Sequence, residues 1–94
     1  MTFSLKFDKR ALKEWNKLDA VVKAQFKKKL TERLEQPELK SFKVSGAENC
    51  YKIKLRAAGY RLVYQVINNE VVVLVLAVGK RERNAVYKIA LNRA

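Results

Sequence analysis

Eight consecutive apolar residues, VVVLVLAV at positions 71–78, constrain the fold of this chain more than any other stretch. A β-branched run of this length is typical of a strand that is covered on both faces, because a solvated face would carry alternating polar positions. Such a strand belongs in the middle of a sheet. We therefore expect a strand over 70–78 that other strands flank and that further elements cover on each side.

Two strand patterns precede this run, at 50–56 and 60–67, and short turns join all three. Gly59 allows the first turn, and Asn68-Asn69 suits a two-residue hairpin because asparagine tolerates a positive φ. Strands that hairpins connect are antiparallel, so the three strands predict an antiparallel sheet. The register that follows from these turns places Leu55 opposite Tyr60, Lys54 opposite Arg61, Leu76 beside Arg61 and Leu74 beside Val63.

Strand and helix periodicity predicts the remaining elements. Residues 2–8, TFSLKFD, alternate as a half-buried strand, and Asp8 can cap the helix that follows. Asp19 can cap a second helix, which ends before Pro37. A third helix is expected from Lys80 onward.

The resulting order, β-α-α-β-β-β-α, predicts an α+β fold. Two N-terminal helices pack on one face of an antiparallel sheet, and the C-terminal helix lies at the other face. We expect a single domain over 1–94, since this length supports one modest core. The helical residues expected to be buried are Ala11, Leu12, Trp15 and Leu18 in the first helix, Val22, Phe26, Leu30 and Leu34 in the second, and Val86, Ile89 and Ala90 in the third.

The composition excludes several kinds of site. Histidine is absent and Cys50 is the sole cysteine, so an internal disulfide and a structural zinc site are both excluded. We expect no metal and no cofactor, and acid–base chemistry has to use lysine, arginine, tyrosine or carboxylates. No apolar run approaches the roughly 20 residues that span a bilayer, and no apolar signal segment opens the sequence. We expect a cytoplasmic protein without membrane contacts.

Basic residues dominate the charge, with 21 lysines and arginines against 9 acidic residues and a net charge of +12. Such a field favours anionic partners, of which nucleic acid is the most common. Alternation places Lys52, Lys54 and Arg61 on one face of the sheet, where like charges destabilise the pairing of strands. The same face is apolar toward the middle, so the terminal helix, a protein partner or both must cover it.

Two interpretations of this basic cluster remain open: three solvated surface cations, or a concave site in which a bound phosphate relieves their repulsion. Two unit charges ~6 Å apart at an effective dielectric constant of ~20 repel by about 3 kcal/mol, which corresponds to about two pKa units. A lysine among such neighbours becomes a better base near neutral pH, although a bound phosphate opposes that effect. Arg81 and Tyr87 can approach the cluster if the last helix folds back over the sheet edge.

A second group of cations, Lys9, Lys13 and Lys17, lines one side of the first helix at intervals of four residues. This pattern is compatible with a solvated helix surface or with a ridge that tracks phosphates. The run of lysines at 27–29 is interpreted as a solvated surface, because Glu32 lies on a nearby turn.

Four stretches, FDKRALKEWNKL, CYKIKLR, GYRLVYQV and VGKRER, together with Tyr87, resemble the RelE family of bacterial toxins over almost the whole chain. That family consists of ribosome-dependent mRNA endonucleases of toxin–antitoxin pairs. The resemblance implies cleavage of mRNA in the ribosomal A site, where the substrate 2′-OH attacks its own 3′-phosphate and translation stops. It also implies roles for five residues: Lys54 as general base, Arg81 as proton donor to the leaving oxygen, Lys52 and Arg61 as stabilisers of the phosphorane charge, and Tyr87 as a stacking partner for a substrate base.

The resemblance implies three kinds of partner. The first is an acidic, RelB-like antitoxin that wraps the toxin and displaces or blocks the terminal helix. The second is the ribosome with its mRNA and rRNA, and the third is operator DNA, bound only by the toxin–antitoxin complex. One position departs from the family pattern, because Ser45 stands where a basic residue is frequent. The residues expected to contact RNA or the ribosome are Lys9, Lys13, Lys17, Arg56, Lys80 and Arg83.

Two other functions have to be weighed against this one. A ParE-like toxin would share the fold but act on DNA gyrase, and it would give the five implied active-site residues no joint task. A non-catalytic RNA-binding protein of the ribosome would explain the charge and the aromatic residues equally well. Loss of cleavage with retained ribosome binding, on substitution of Lys54 or Arg81, distinguishes an enzyme from both.

Overall fold

The computed structural model describes residues 2–80 and 85–94, and its elements follow the predicted order. Arg81 and Arg83, both predicted site residues, lie outside the described residues. Asp8 and Asp19 cap the first two helices as expected, since each carboxylate accepts a hydrogen bond from a backbone amide of its first turn. The elements are β1 Ser4–Phe7, α1 Lys9–Asn16, α2 Ala20–Glu35, β2 Cys50–Leu55, β3 Tyr60–Ile67, β4 Val72–Lys80 and α3 Ala85–Arg93.

The four strands form one sheet in the order β1-β4-β3-β2, with the apolar strand β4 in its interior as predicted. β2, β3 and β4 are antiparallel neighbours, whereas β1 runs parallel to β4. The α+β class is confirmed, but the sheet is mixed and not wholly antiparallel. Alternation shows which side chains of a strand face the core, but it does not encode the direction of a partner that is distant along the chain.

The hairpin between β2 and β3 has the predicted register, with Leu55 opposite Tyr60 and Lys54 opposite Arg61. Gly59 closes the turn at φ +73°, and its amide donates a hydrogen bond of 2.8 Å to the Leu55 carbonyl. A side chain is strained in this left-handed conformation, so glycine is the residue that the turn requires. The turn thereby fixes which basic residues of the two strands face each other.

The predicted register of the second hairpin is wrong for two reasons. The connection is a 3₁₀ turn over Asn68–Glu70 followed by Val71 at φ 55°, so it is longer than a two-residue turn. A bulge between Val63 and Tyr64 also shifts the pairing by one residue of β4. The observed pairs are Arg61 with Gly79 and Val63 with Ala77, in place of the predicted Leu76 and Leu74.

The sheet has a core on each face. On the inner face, which we define as the face under α1 and α2, the side chains of both helices pack against those of β2, β3 and β4. On the outer face, Val86 and Ala90 of α3 pack on Val63, Leu76 and Ala77. The bulge explains how consecutive residues of β4 both join this outer core. The terminal helix therefore covers the apolar centre of the outer face, which was one of the predicted ways of covering it.

Two predicted core positions are wrong. Leu12 is 44% exposed and Ile89 is 40% exposed. Leu12 follows the buried Ala11 and Ile89 precedes the buried Ala90, so each lies about 100° around its helix from a residue in the core. At that angle the side chain points to the flank of the helix, where the sheet does not cover it. Among the described residues, no helix combines the length and the apolar character that crossing a bilayer requires.

Sequence patterns did not single out Arg33, a buried cation of α2 that is 8% exposed. Its guanidinium donates hydrogen bonds of 3.1 Å to the Lys52 carbonyl and 2.9 Å to the Tyr64 hydroxyl. The Tyr64 hydroxyl in turn donates to the Pro37 carbonyl at 2.7 Å, and the guanidinium carbon lies 4.3 Å from the ring centroid of Phe42. The network satisfies an edge carbonyl of β2 and anchors that strand to α2.

We expect Tyr64→Phe to lower the free energy of unfolding by about 1–3 kcal/mol, because it leaves a buried guanidinium N–H and a carbonyl without their partner. Denaturant unfolding monitored by circular dichroism measures this change. Tyr51→Phe is the matched control, since its ring stacks on Tyr64 at 5.8 Å and its hydroxyl takes no part in the Arg33 network. Equal losses in the free energy of unfolding of both variants would show that the hydrogen bonds of the Tyr64 hydroxyl do not stabilise the fold.

Candidate active site

Three basic side chains share the outer face of β2 and β3. Ile53 and Leu55 are buried in the inner core, so Lys52 and Lys54, which alternate with them, point to the outer face. Arg61 lies directly opposite Lys54 on the neighbouring strand. All three cations are partly exposed. The positions of their buried neighbours therefore fix the cluster.

These cations line a cavity of about 400 Å³ together with Tyr87 of α3. The ring reaches the cavity because α3 folds back across the outer face to cover its apolar centre. None of the described residues that line the cavity is acidic. The remaining described lining residues are Val44, Ser45, Lys88 and Leu91.

The ring of Tyr87 lies against two of the cations. Its centroid is 5.1 Å from the guanidinium carbon of Arg61 and 5.7 Å from the ammonium nitrogen of Lys52. Both distances allow cation–π attraction, which partly offsets the repulsion among the basic groups. The Tyr87 hydroxyl is buried and has no hydrogen-bond partner among the described residues.

Burial raises the pKa of Tyr87 above its usual value near 10, and the charge of Arg61 only partly opposes this effect. The phenol is therefore protonated at neutral pH. A protonated phenol serves as a stacking surface and a hydrogen-bond donor, but it does not accept a proton as a general base. Proton abstraction at this cavity has to fall to another group.

The arrangement is suited to holding an anion of high charge density. Cationic groups that are fixed before a substrate arrives stabilise charge as it develops on a phosphate, because they need little reorganisation. Within residues 2–80 and 85–94, no three cysteine, aspartate or glutamate side chains converge as metal ligands would. The described polar side chains of the cavity wall carry amino, guanidinium, phenol and hydroxyl groups.

Five of the other six predicted contact residues do not line this cavity, and the sixth, Arg83, is outside the described residues. Lys9 and Lys13 are exposed on α1, Lys17 is exposed at its C-cap, and Lys80 is exposed at the end of β4. Arg56, which we expected on the charged face of a strand, lies in the turn after β2. It lines a smaller cavity of about 260 Å³ with Lys54 and Arg61 as neighbours.

The structure also adds a residue that the sequence patterns did not select. Lys88 lines the 400 Å³ cavity beside Tyr87. Its place directly after that tyrosine in the sequence is the feature that could have identified it as a candidate site residue. Ser45, the position that departs from the family pattern, lies on the same wall. A basic residue at position 45 would therefore add one more cation to this cavity.

Comparison with known proteins places these features in a family. A family model described as the ParE toxin of type II toxin–antitoxin systems, parDE, matches residues 5–85. The mRNA interferase toxin RelE of Escherichia coli strain K12 is 58% identical over 93 residues, which are 99% of this chain and 98% of that protein.

Solved structures agree with this likeness. E. coli toxin RelE with two arginine-to-alanine substitutions, in the free state, superimposes with a TM-score of 0.91 at 56% identity and covers 99% of this chain and 98% of that one. The toxin in the intact E. coli RelBE toxin–antitoxin complex gives a TM-score of 0.83 at 59% identity, with 86% of this chain and 99% of that chain covered.

We expect Tyr87→Phe to leave the free energy of unfolding unchanged within about 0.5 kcal/mol, because the deleted hydroxyl has no partner among the described residues. Tyr87→Ala should lower it by about 2 kcal/mol, since it removes buried ring surface and the attraction to two cations. Denaturant unfolding of both variants measures the difference. A loss in Tyr87→Phe as large as that in Tyr87→Ala would show that the hydroxyl, and not the ring, holds the contact.

Proposed function

This chain belongs to the ParE/RelE family of type II toxin–antitoxin toxins as a RelE-type mRNA interferase, and on that premise we propose that it cleaves mRNA in the ribosomal A site at the 400 Å³ cavity. The observation that carries the proposal is the convergence of Lys52, Lys54, Arg61 and Tyr87, from two strands and a helix, on one cavity.

The proposed reaction is an internal transfer at phosphorus. The 2′-oxygen of the substrate forms a bond to the adjacent phosphate while the bond from phosphorus to the 5′-oxygen of the next nucleotide breaks. Lys54, acting as a neutral amine, takes the proton of the 2′-hydroxyl, and Arg81 donates a proton to the departing 5′-oxygen. The products are a 2′,3′-cyclic phosphate and a free 5′-hydroxyl. Lys54 suits the role of base because it lines the cavity and lies opposite the cation Arg61 on the neighbouring strand, and a neighbouring positive charge favours the neutral form of an amine.

Lys52 and Arg61 are proposed to stabilise the charge of the phosphorane. Guanidinium groups suit this role because they offer several donors in a fixed plane. Tyr87 is proposed to stack on a substrate base and so to hold the attacked phosphate in line. Its contacts with Lys52 and Arg61 support this role, because a nucleotide bound to both cations would lie beside the ring.

Dependence on the ribosome follows from the weakness of the proton-transfer groups. The sequence contains no histidine, so we propose that the reaction gains its rate chiefly from substrate positioning and charge stabilisation. The ribosome would supply that positioning by holding the mRNA in the geometry that the reaction needs. The exposed lysines of α1 are proposed to contact ribosomal RNA. We accordingly propose that the toxin works in the cytoplasm and cuts free RNA poorly.

An acidic RelB-like antitoxin is the proposed inhibitor. Its charge would complement a toxin of net charge +12. The relatives support this partner, since E. coli RelE has been solved in the intact RelBE complex and with a peptide of the antitoxin RelB. Binding to operator DNA is proposed for the toxin–antitoxin complex alone.

Lys54→Ala should lower the rate of mRNA cleavage on programmed ribosomes by about 10²-fold or more, because it removes the proposed base. Primer extension maps the cut, and ribosome pelleting measures binding, which we expect to be retained. Lys27→Ala, which removes an exposed lysine of α2, should cleave as the unmodified protein does. Unchanged cleavage by Lys54→Ala would refute the assignment.

The ParE alternative has a direct test, because the matching family model carries that name. The protein should leave the supercoiling activity of purified DNA gyrase unchanged at concentrations that stop translation in a cell-free system. Inhibition of gyrase together with intact mRNA on ribosomes would replace the proposed function with the ParE one.

Neutralisation of Lys9, Lys13 and Lys17 to glutamine should weaken ribosome binding and make it less sensitive to salt, by about 0.7 in the logarithmic slope for each lost phosphate contact. Single-turnover cleavage at saturating ribosomes should stay within twofold, because these residues lie outside the cavity. The matched control neutralises Lys27, Lys28 and Lys29 of α2, an equal change in charge. Equal weakening by both triple variants would indicate a general charge effect in place of a ridge on α1.

A further inference from the structure

We propose that Glu14 and Arg93 are positioning residues for the cleavage reaction: their ion pair fixes α3 on the outer face and thereby holds Tyr87 over Lys52 and Arg61. The inference rests on the proposed function for its kinetic test. Neither residue lines the 400 Å³ cavity, so both act at a distance from the reacting atoms.

The helix that carries Tyr87 needs an external anchor. α3 has nine residues, Ala85–Arg93, of which Val86 and Ala90 are the buried ones. Helices shorter than ~12–15 residues are marginal in water on their own. Apolar packing of α3 on the outer core, through Val86 and Ala90 with Tyr87 and Leu91 partly buried beside them, is also non-directional, so it holds the helix against the sheet without by itself fixing its rotation or its shift along the axis. A directional contact has to supply that restraint.

The ion pair between Glu14 and Arg93 has the required direction. The two nitrogens of the Arg93 guanidinium reach the two carboxylate oxygens of Glu14 at 3.0 and 3.1 Å. Their side chains are 30% and 11% exposed, whereas Arg10, in the surface pair with Asp8, is 61% exposed. A bidentate pair that is partly removed from water is stronger and more restrictive in geometry than a surface pair.

The same two side chains are tied to the central strand. Arg93 also donates a hydrogen bond of 2.8 Å to the Leu76 carbonyl, and Glu14 accepts one of 3.2 Å from the Val78 amide. The pairing between β1 and β4 ends at Val75, so these groups of β4 lie just beyond the reach of β1. The ion pair therefore fastens the C-terminal end of α3 to both α1 and the bulged part of β4.

This anchor acts on Tyr87 through the helix itself. Tyr87 precedes Arg93 by six residues, which corresponds to about 9 Å along the axis of the same helix. A rotation or shift of α3 at Arg93 is therefore passed on to the ring, whose contacts with Arg61 and Lys52 are 5.1 and 5.7 Å long. We expect the ring to leave this position for part of the time when the pair is broken.

The kinetic test compares Arg93→Ala in two backgrounds. Single-turnover cleavage on saturating programmed ribosomes should fall at least tenfold for Arg93→Ala alone, with ribosome binding retained. In the Tyr87→Ala background, the same substitution should change the rate by less than twofold, because the ring that it positions is already absent. Equal fold losses in both backgrounds would overturn the proposal and leave the pair a purely structural role. Arg93→Lys, which keeps one charged contact, should cleave at an intermediate rate.

A second measurement does not depend on cleavage. Nuclear Overhauser contacts between the ring of Tyr87 and the side chain of Arg61 should be observed in the unmodified protein and be weakened in Arg93→Ala and Glu14→Gln, at a temperature where all variants are folded. The control is Arg10→Ala, which breaks the surface ion pair of α1 and should preserve these contacts. Undiminished contacts in Arg93→Ala would overturn the anchor even if the proposed function holds. Weakened contacts in a protein that cleaves no mRNA would support the anchor and refute the function.

Discussion

The apolar centre of the outer sheet face is the constraint on which the site depends. Val63, Leu76 and Ala77 have to be covered, and the terminal helix covers them. The cations of β2 and β3 occupy the same face, so the helix that buries the apolar centre also carries Tyr87 across the sheet toward them. Hydrophobic burial is non-directional and holds this helix against the sheet, and the directional contacts of Arg93 with Glu14 and the Leu76 carbonyl are proposed to fix the position of its ring.

Two carboxylates among the described residues take part in ion pairs away from the 400 Å³ cavity. Asp8 pairs with Arg10 at the start of α1, and Glu14 pairs with Arg93 across the edge of the sheet. Both acids stabilise the placement of helices. The described wall of the cavity has an aromatic ring beside its cations and contains no acidic residue.

The sequence predicted a large part of the fold, and its errors have common causes. Helix caps at Asp8 and Asp19 and the first hairpin through Gly59 are local, so their signals lie within a few residues. The parallel pairing of β1 depends on a partner that is far along the chain, β4, and periodicity contains no information on it. The register of the second hairpin was wrong because its connection is longer than a two-residue turn and because periodicity does not predict the bulge near Leu76.

The sequence by itself determined which face of β2 and β3 carries Lys52, Lys54 and Arg61, because side chains alternate along a regularly paired stretch of strand, such as that from Cys50 to Leu55. Only the tertiary structure decided that Tyr87 meets those cations and that Arg93 reaches Glu14. These contacts depend on the angle and position at which α3 crosses the sheet. That placement results from packing against residues from three strands and a loop, and no local pattern in the helix specifies it.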